Sequence, residues 1–102
     1  MPKAYWIARV NVDDPDQYKV YMAASAPVFT KYKAKFIVRG GEFTELEGAS
    51  KYRNIVLEFK DRATALECFN SPEYQAARAL RLPVSDADII MIEGYEGPQP
   101  GD

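Results

Sequence analysis

An α+β fold of order β-α-β-β-α-β, with a four-stranded antiparallel sheet and its helices on one face, is what this sequence predicts. Three observations lead there. Short apolar segments recur at strand length, two longer segments carry apolar residues at helical spacing, and the helical segments open on aspartate or serine beside proline or a polar first turn. At 102 residues the chain has the length of one domain and buries roughly two-thirds of its unfolded surface. An apolar content of 47% sets it among folded chains rather than disordered ones.

The first strand is Ala4–Val12. Its alternation sends Trp6, Ala8, Val10 and Val12 to one face and Tyr5, Ile7, Arg9 and Asn11 to the other. The first helix begins at Asp13-Asp14-Pro15-Asp16-Gln17: Asp14 caps it, Pro15 takes the first turn, and Gln17 completes a capping box. The aspartates suit the positive end of the helix dipole, so they are read as a helix start and not as a metal site. Tyr18, Tyr21, Met22, Ser25, Phe29 and Tyr32 form its buried stripe, and Pro27 is expected to kink or split it near Ala26.

Lys35–Arg39 is the second strand, and Gly40-Gly41 after it suggests a bulge or sharp bend. Residues 42–46 are expected to continue as a strand, with residues 48–51 as the connection. Arg53–Phe59 is the most apolar strand. Asp61 caps a helix from Arg62 whose stripe includes Ala65, Leu66 and Phe69. Asn70-Ser71-Pro72 stops that helix and starts another, with Ser71 as cap and Pro72 in the first position; Pro83 ends the segment. Residues 88–93 (DIIMIE) form the last strand. Residues 1–96 make the domain, and residues 97–102 are a tail without core-forming residues. Right-handed crossovers in this order give the ferredoxin-like arrangement.

Two helices cover only one face of such a sheet. Whichever face is left, it is partly apolar: Tyr5 and Ile7 oppose Trp6 and Val10, Val56 opposes Ile55 and Leu57, and Ile89 and Met91 oppose Ile90 and Ile92. Arg9, Asn11, Glu58 and Glu93 stand among them. A mixed apolar face of that kind predicts a homodimer packed sheet to sheet.

The chain contains no histidine, which excludes Ser–His and Cys–His catalysis and histidine-ligated zinc or haem. No acidic spacing resembles a calcium loop, and no phosphate-binding glycine motif is present, so neither metal nor cofactor is expected. The lone Cys68 forbids an internal disulfide and, mid-helix beside Phe69, reads as a buried thiol. It agrees with a reducing, cytoplasmic setting. Thirteen basic residues against fifteen acidic ones, without a basic run, argue against nucleic acid as a partner, and no apolar run is long enough for a membrane.

The stretches AYWIARVNVDDPDQYKVY, RGGEFTELEG and VLEFKDRATALECFNSPEYQAARALR resemble the domain of unknown function 1330 family, over about residues 4–95. The resemblance implies a place in the dimeric α/β-barrel, ferredoxin-like superfamily, whose members include cofactor-free monooxygenases, haem-degrading enzymes, muconolactone isomerase-like proteins and stress proteins. It supplies no catalytic residues. In one departure, Lys33-Ala34-Lys35 stands where related sequences tend to carry glycine before the strand.

For function, a small acidic or aromatic metabolite is expected in the cleft between sheet and helices. Arg39, Tyr74, Arg78 and Arg81 are the candidate ligand-binding residues, with Trp6 or Tyr5 as an apolar wall. Arginines fork onto a carboxylate and Tyr74 donates a hydrogen bond or serves as an acid; Glu47 and Glu58 are candidate bases. Each also has an ordinary structural explanation. Arg78 and Arg81 can be a solvated face or pair with Glu73 and Asp86, Glu47 can end a strand, and Tyr74 can be core. The alternative function is a non-enzymatic dimeric module that binds a metabolite or a protein.

Overall fold

A computed structural model describes residues 2–102. The elements follow the order β1 (Ala4–Val12), α1 (Pro15–Lys31), β2 (Lys35–Arg39), β3 (Arg53–Phe59), α2 (Arg62–Asn70), α3 (Pro72–Arg81), a short 3-10 turn at Leu82–Val84, and β4 (Ser85–Glu93). They form one four-stranded antiparallel sheet, ordered β2-β3-β1-β4. This is the ferredoxin-like fold.

The core lies between the sheet and the helices. Trp6 is its hub, edge-on to Phe29, Phe69 and Tyr74, with its indole N–H donating to the Ala65 carbonyl at 3.1 Å. That bond satisfies the only polar atom of a large buried ring. Asp14 and Asp61 cap α1 and α2 by accepting from the Gln17 and Thr64 N–H groups at 3.2 and 2.8 Å. Cys68 is fully buried, and burial pushes its thiol up to about 12.

Four expectations need correction. Pro27 does not split α1, which runs unbroken to Lys31. Both Pro27 and Ala23 lie on the exposed side, so water can satisfy the Ala23 carbonyl that has lost its donor. Residues 42–46 form no strand; the whole of 40–52 is an irregular connection tied to the sheet by side chains and not by a ladder, with Arg9 donating to the Ala49 carbonyl at 3.3 Å and Asn11 accepting from the Tyr52 N–H at 3.0 Å. The bulge falls at Ile37 instead of the glycine pair, and Gly40 supplies the bend, with φ of +65°. The last strand begins at Ser85, three residues before the apolar run, because it pairs along the full length of β1 from Val12↔Ser85.

The uncovered sheet face is ordered by register. Ile90, Ile7, Val56 and Val38 stand directly opposite one another across all four strands, forming one apolar row. On one side lies the row Ile92, Tyr5, Glu58 and Lys35; on the other lie Asp88, Arg9 and Asn54. Ile90 and Val38 are 54% and 43% exposed, which is unusual for a register-locked β-branched row. Among the described residues no helix is long and apolar enough to cross a membrane.

Candidate functional site

A narrow cavity of about 50 Å³ lies between the sheet and the helices α1 and α3. Strand parity explains what faces it. Residues of β3 at 53, 55, 57 and 59 point inward, so Arg53 sits on the same side as Ile55 and Leu57. Phe36 of β2 also points inward, and Arg39, an odd number of residues later, would ordinarily face out. The bulge reverses that parity: Phe36 pairs with Leu57, Val38 with Val56, and Arg39 with Ile55, which delivers the Arg39 side chain to the cavity. Arg81 arrives from the end of α3 and is only 5% exposed.

Three guanidinium groups therefore meet at a largely aromatic hollow. Arg39 stacks 4.1 Å from the Phe36 ring centre, Arg53 lies 5.6 Å from that of Tyr18, and Arg81 lies 5.6 Å from that of Tyr21. Arg81 is buried, Arg53 half-buried and Arg39 exposed at the rim, so for the first two these cation–π contacts soften the cost of burying positive charge without neutralising it. Among the described residues every ion pair is made by a lysine, so none of the three arginines has a carboxylate partner. No Asp or Glu lines the cavity. The Arg53 Nε is buried with no hydrogen-bond partner, and its Nη2 meets only the Met22 sulfur, at 3.5 Å.

The polar counterpart is a pair of phenols. The Tyr21 and Tyr74 hydroxyl oxygens lie 2.9 Å apart, so one donates to the other and one proton is left to donate elsewhere. Burial, reinforced by Tyr74, holds the Tyr21 phenol well above its ordinary value. Burial also raises Tyr18, against the opposing charge of Arg53. Tyr21 and Tyr18 are thus neutral donors at physiological pH. The arrangement can hold and polarise an anion or a carbonyl oxygen.

Of the residues singled out from the sequence, Arg39, Tyr74, Arg81 and Trp6 are brought together at this cavity. Arg78 is not. It lies over the Phe69 ring at 5.8 Å and reaches Gln75 at 3.4 Å, on a separate shallow groove. Neither proposed arginine pairing forms, since Glu73 binds Lys31 at 2.8 Å and Asp86 binds Lys51 at 3.2 Å. Glu58 and Tyr5 occupy the opposite sheet face, where Glu58 accepts from Lys3 at 3.2 Å and from the Tyr5 hydroxyl at 3.4 Å. Glu47 sits in the exposed 40–52 connection, apart from the cavity. Sequence reasoning missed Arg53 as a lining group; Tyr18, Tyr21 and Met22, read as core, do belong to the core or pack against it and line the cavity as well. A signal was available: Arg53 is a charge on the buried parity of an apolar strand.

The family model described as domain of unknown function (DUF1330) matches residues 3–95. Among curated protein sequences none matches the chain. Similar solved structures include RPA0582, a protein of unknown function from Rhodopseudomonas palustris, with 20% identity, a TM-score of 0.73, and 94% of this chain and 85% of that one covered. A dimeric ferredoxin-like protein of unknown function from Thermobifida fusca has 17% identity and a TM-score of 0.63, over 90% and 91% of the two chains. SnoaB, a cofactor-independent oxygenase from Streptomyces nogalater, has 14% identity and a TM-score of 0.63, over 98% and 99%. At these identities the likeness is one of fold.

Proposed function

Since the chain belongs to the DUF1330 family, whose description names no reaction, we propose its function from the cavity: it binds a small acidic metabolite between the sheet and α1, as a homodimer. The observation that carries this reading is the gathering of Arg39, Arg53 and Arg81 around one hollow without a single carboxylate. Arg81 is buried and Arg53 half-buried, and buried cations are normally paired, so a ligand carboxylate is the simplest group to complete them, with Arg39 at the exposed rim. The apolar row Ile90–Ile7–Val56–Val38 supports the homodimer, and the T. fusca neighbour is described as dimeric.

Catalysis is the second reading, favoured by the Tyr21–Tyr74 pair, which supplies a neutral donor for a developing oxyanion. The lining holds no carboxylate to act as a base, so the non-enzymatic module accounts for more of the geometry. Isothermal titration of a carboxylic acid against its own primary amide separates charge from shape. The acid is expected to bind, more weakly as salt rises, and at least about tenfold more weakly in Arg39→Ala, a loss of about 1.4 kcal/mol. An amide that binds as tightly as the acid would overturn the reading.

A further inference from the structure

The size of the cavity and the placing of its polar groups say more about the ligand. Resting on the anion-binding reading above, we infer that the ligand is a compact carboxylic acid of about two to four carbons with a second acceptor oxygen, meaning a 2-oxo acid or a short dicarboxylate, and not an aromatic acid.

Volume comes first. On this measure a water needs about 10–15 Å³, so about 50 Å³ takes three to five waters. Bonded atoms lie closer together than touching waters, which raises the capacity to about four to seven heavy atoms. A benzoate exceeds that, and the walls that would have to yield are the buried rings of Trp6 and Phe29, both held in the aromatic core.

The carboxylate position follows from Arg53. The Nε–Nη2 edge of a guanidinium is one of the forks that match a carboxylate with two parallel hydrogen bonds. Here Nε is buried and unpartnered, while Nη2 touches a thioether, a weak acceptor on a flexible side chain. A carboxylate that displaces the Met22 sulfur satisfies both atoms. Arg39 lies on the neighbouring strand, where Gly40 brings its backbone against the Arg53 guanidinium: a Cβ on Gly40 would stand 3.0 Å from Nη1.

A second oxygen has its own donors. The Tyr21–Tyr74 pair leaves one hydroxyl proton free to donate, and Arg81, set over the Tyr21 ring, adds a buried positive charge beside it. Tyr18 links the two ends, with its ring beneath Arg53 and 5.2 Å from that of Tyr21. A plain monocarboxylate fills one end only. A 2-oxo acid or a short dicarboxylate fills both.

The test uses the full chain, with pyruvate, malonate, acetate, benzoate and inorganic phosphate as probes, read by calorimetry and thermal shift. Pyruvate or malonate is expected to raise the melting temperature by about 6–11 °C at ten times its Kd. Acetate should bind at least about tenfold more weakly, and benzoate should not bind. Arg53→Lys, which keeps the charge and loses the fork, should weaken pyruvate at least about tenfold. Tyr21→Phe/Tyr74→Phe, which removes both hydroxyls, should bring pyruvate down towards acetate while leaving acetate unchanged; if the double variant does not fold, each single variant, keeping one donor at a shifted position, should lose part of that discrimination. Benzoate binding more tightly than pyruvate overturns the size inference and leaves the anion site standing. Phosphate matching pyruvate overturns the carboxylate geometry, and equal losses for pyruvate and acetate in the tyrosine variant overturn the second oxygen. If no anion binds, the site itself falls, and this inference with it.

Discussion

Tyr21 shows how one buried group ties the cavity to the stability of the fold. Its phenol is held neutral by burial and by the hydroxyl of Tyr74, so its folded value lies above the ordinary one of about 10. Stability from the neutral phenol is therefore complete below about pH 10 and is lost as pH rises through the folded value. Tyr21→Phe is expected to lose stability less steeply between about pH 10 and 12 than the parent, in denaturant titrations at fixed pH. An equal slope would assign the alkaline loss to other groups. Lys33 is a second residue with a cost of its own. It has φ of +57° at the end of α1, donates its N–H to the Thr30 carbonyl at 3.1 Å, and is followed by Ala34 donating to Phe29 at 2.9 Å. That is a Schellman motif with lysine in the glycine position. The departure seen in the sequence is thus a strained one, and Lys33→Gly is expected to raise stability by up to about 1 kcal/mol, read as a higher urea midpoint. Arg53 was legible only through strand parity, as a charge on the side of β3 that carries Ile55, Leu57 and Phe59, a signal that a charged strand end alone does not give. Arg39 lines the cavity only because of the bulge, since simple parity would have sent it outward.

Among the elements, those with their own start signals were readable, and those that depend on a distant partner were not. The caps at Asp14, Asp61 and Ser71 act within one turn, and all three helices begin where they predict. The true start of β4 and the absence of a strand at 42–46 depend on which segments the folded sheet pairs, a non-local fact. Ser71 is the most heavily used of the junctions. Its hydroxyl donates to the Cys68 carbonyl at 2.7 Å, closing α2, and accepts from the Tyr74 N–H at 3.1 Å, opening α3. Because the group is buried, Ser71→Ala leaves the Tyr74 N–H without replacement by water, whereas the Cys68 carbonyl keeps the Ser71 backbone N–H at 3.3 Å, and a cost of about 1 kcal/mol is expected in urea unfolding. The same change should weaken ligand binding by moving Tyr74. A variant with normal stability and normal affinity would show the two helices to be held by packing alone.

At the level of the whole molecule, period-two alternation gives each strand two jobs. Inward positions build the core and the arginine cavity, and outward positions build the row Ile90–Ile7–Val56–Val38. The mixed apolar character of the outer face was readable from composition, whereas the alignment of this row required the register. Ile7→Lys places a charge at its middle, away from the core, and is expected to halve the mass in light scattering with an unchanged circular dichroism spectrum. A parent that is already monomeric at micromolar concentration would remove the homodimer from the proposal. The unpaired guanidinium groups have a further consequence. With no carboxylate in the lining, these groups draw their nearest counter-charge from solution. Chloride, acetate and sulfate are then competitors and not spectators, and a melting temperature measured for this protein belongs jointly to the chain and to the salt in which it was dissolved.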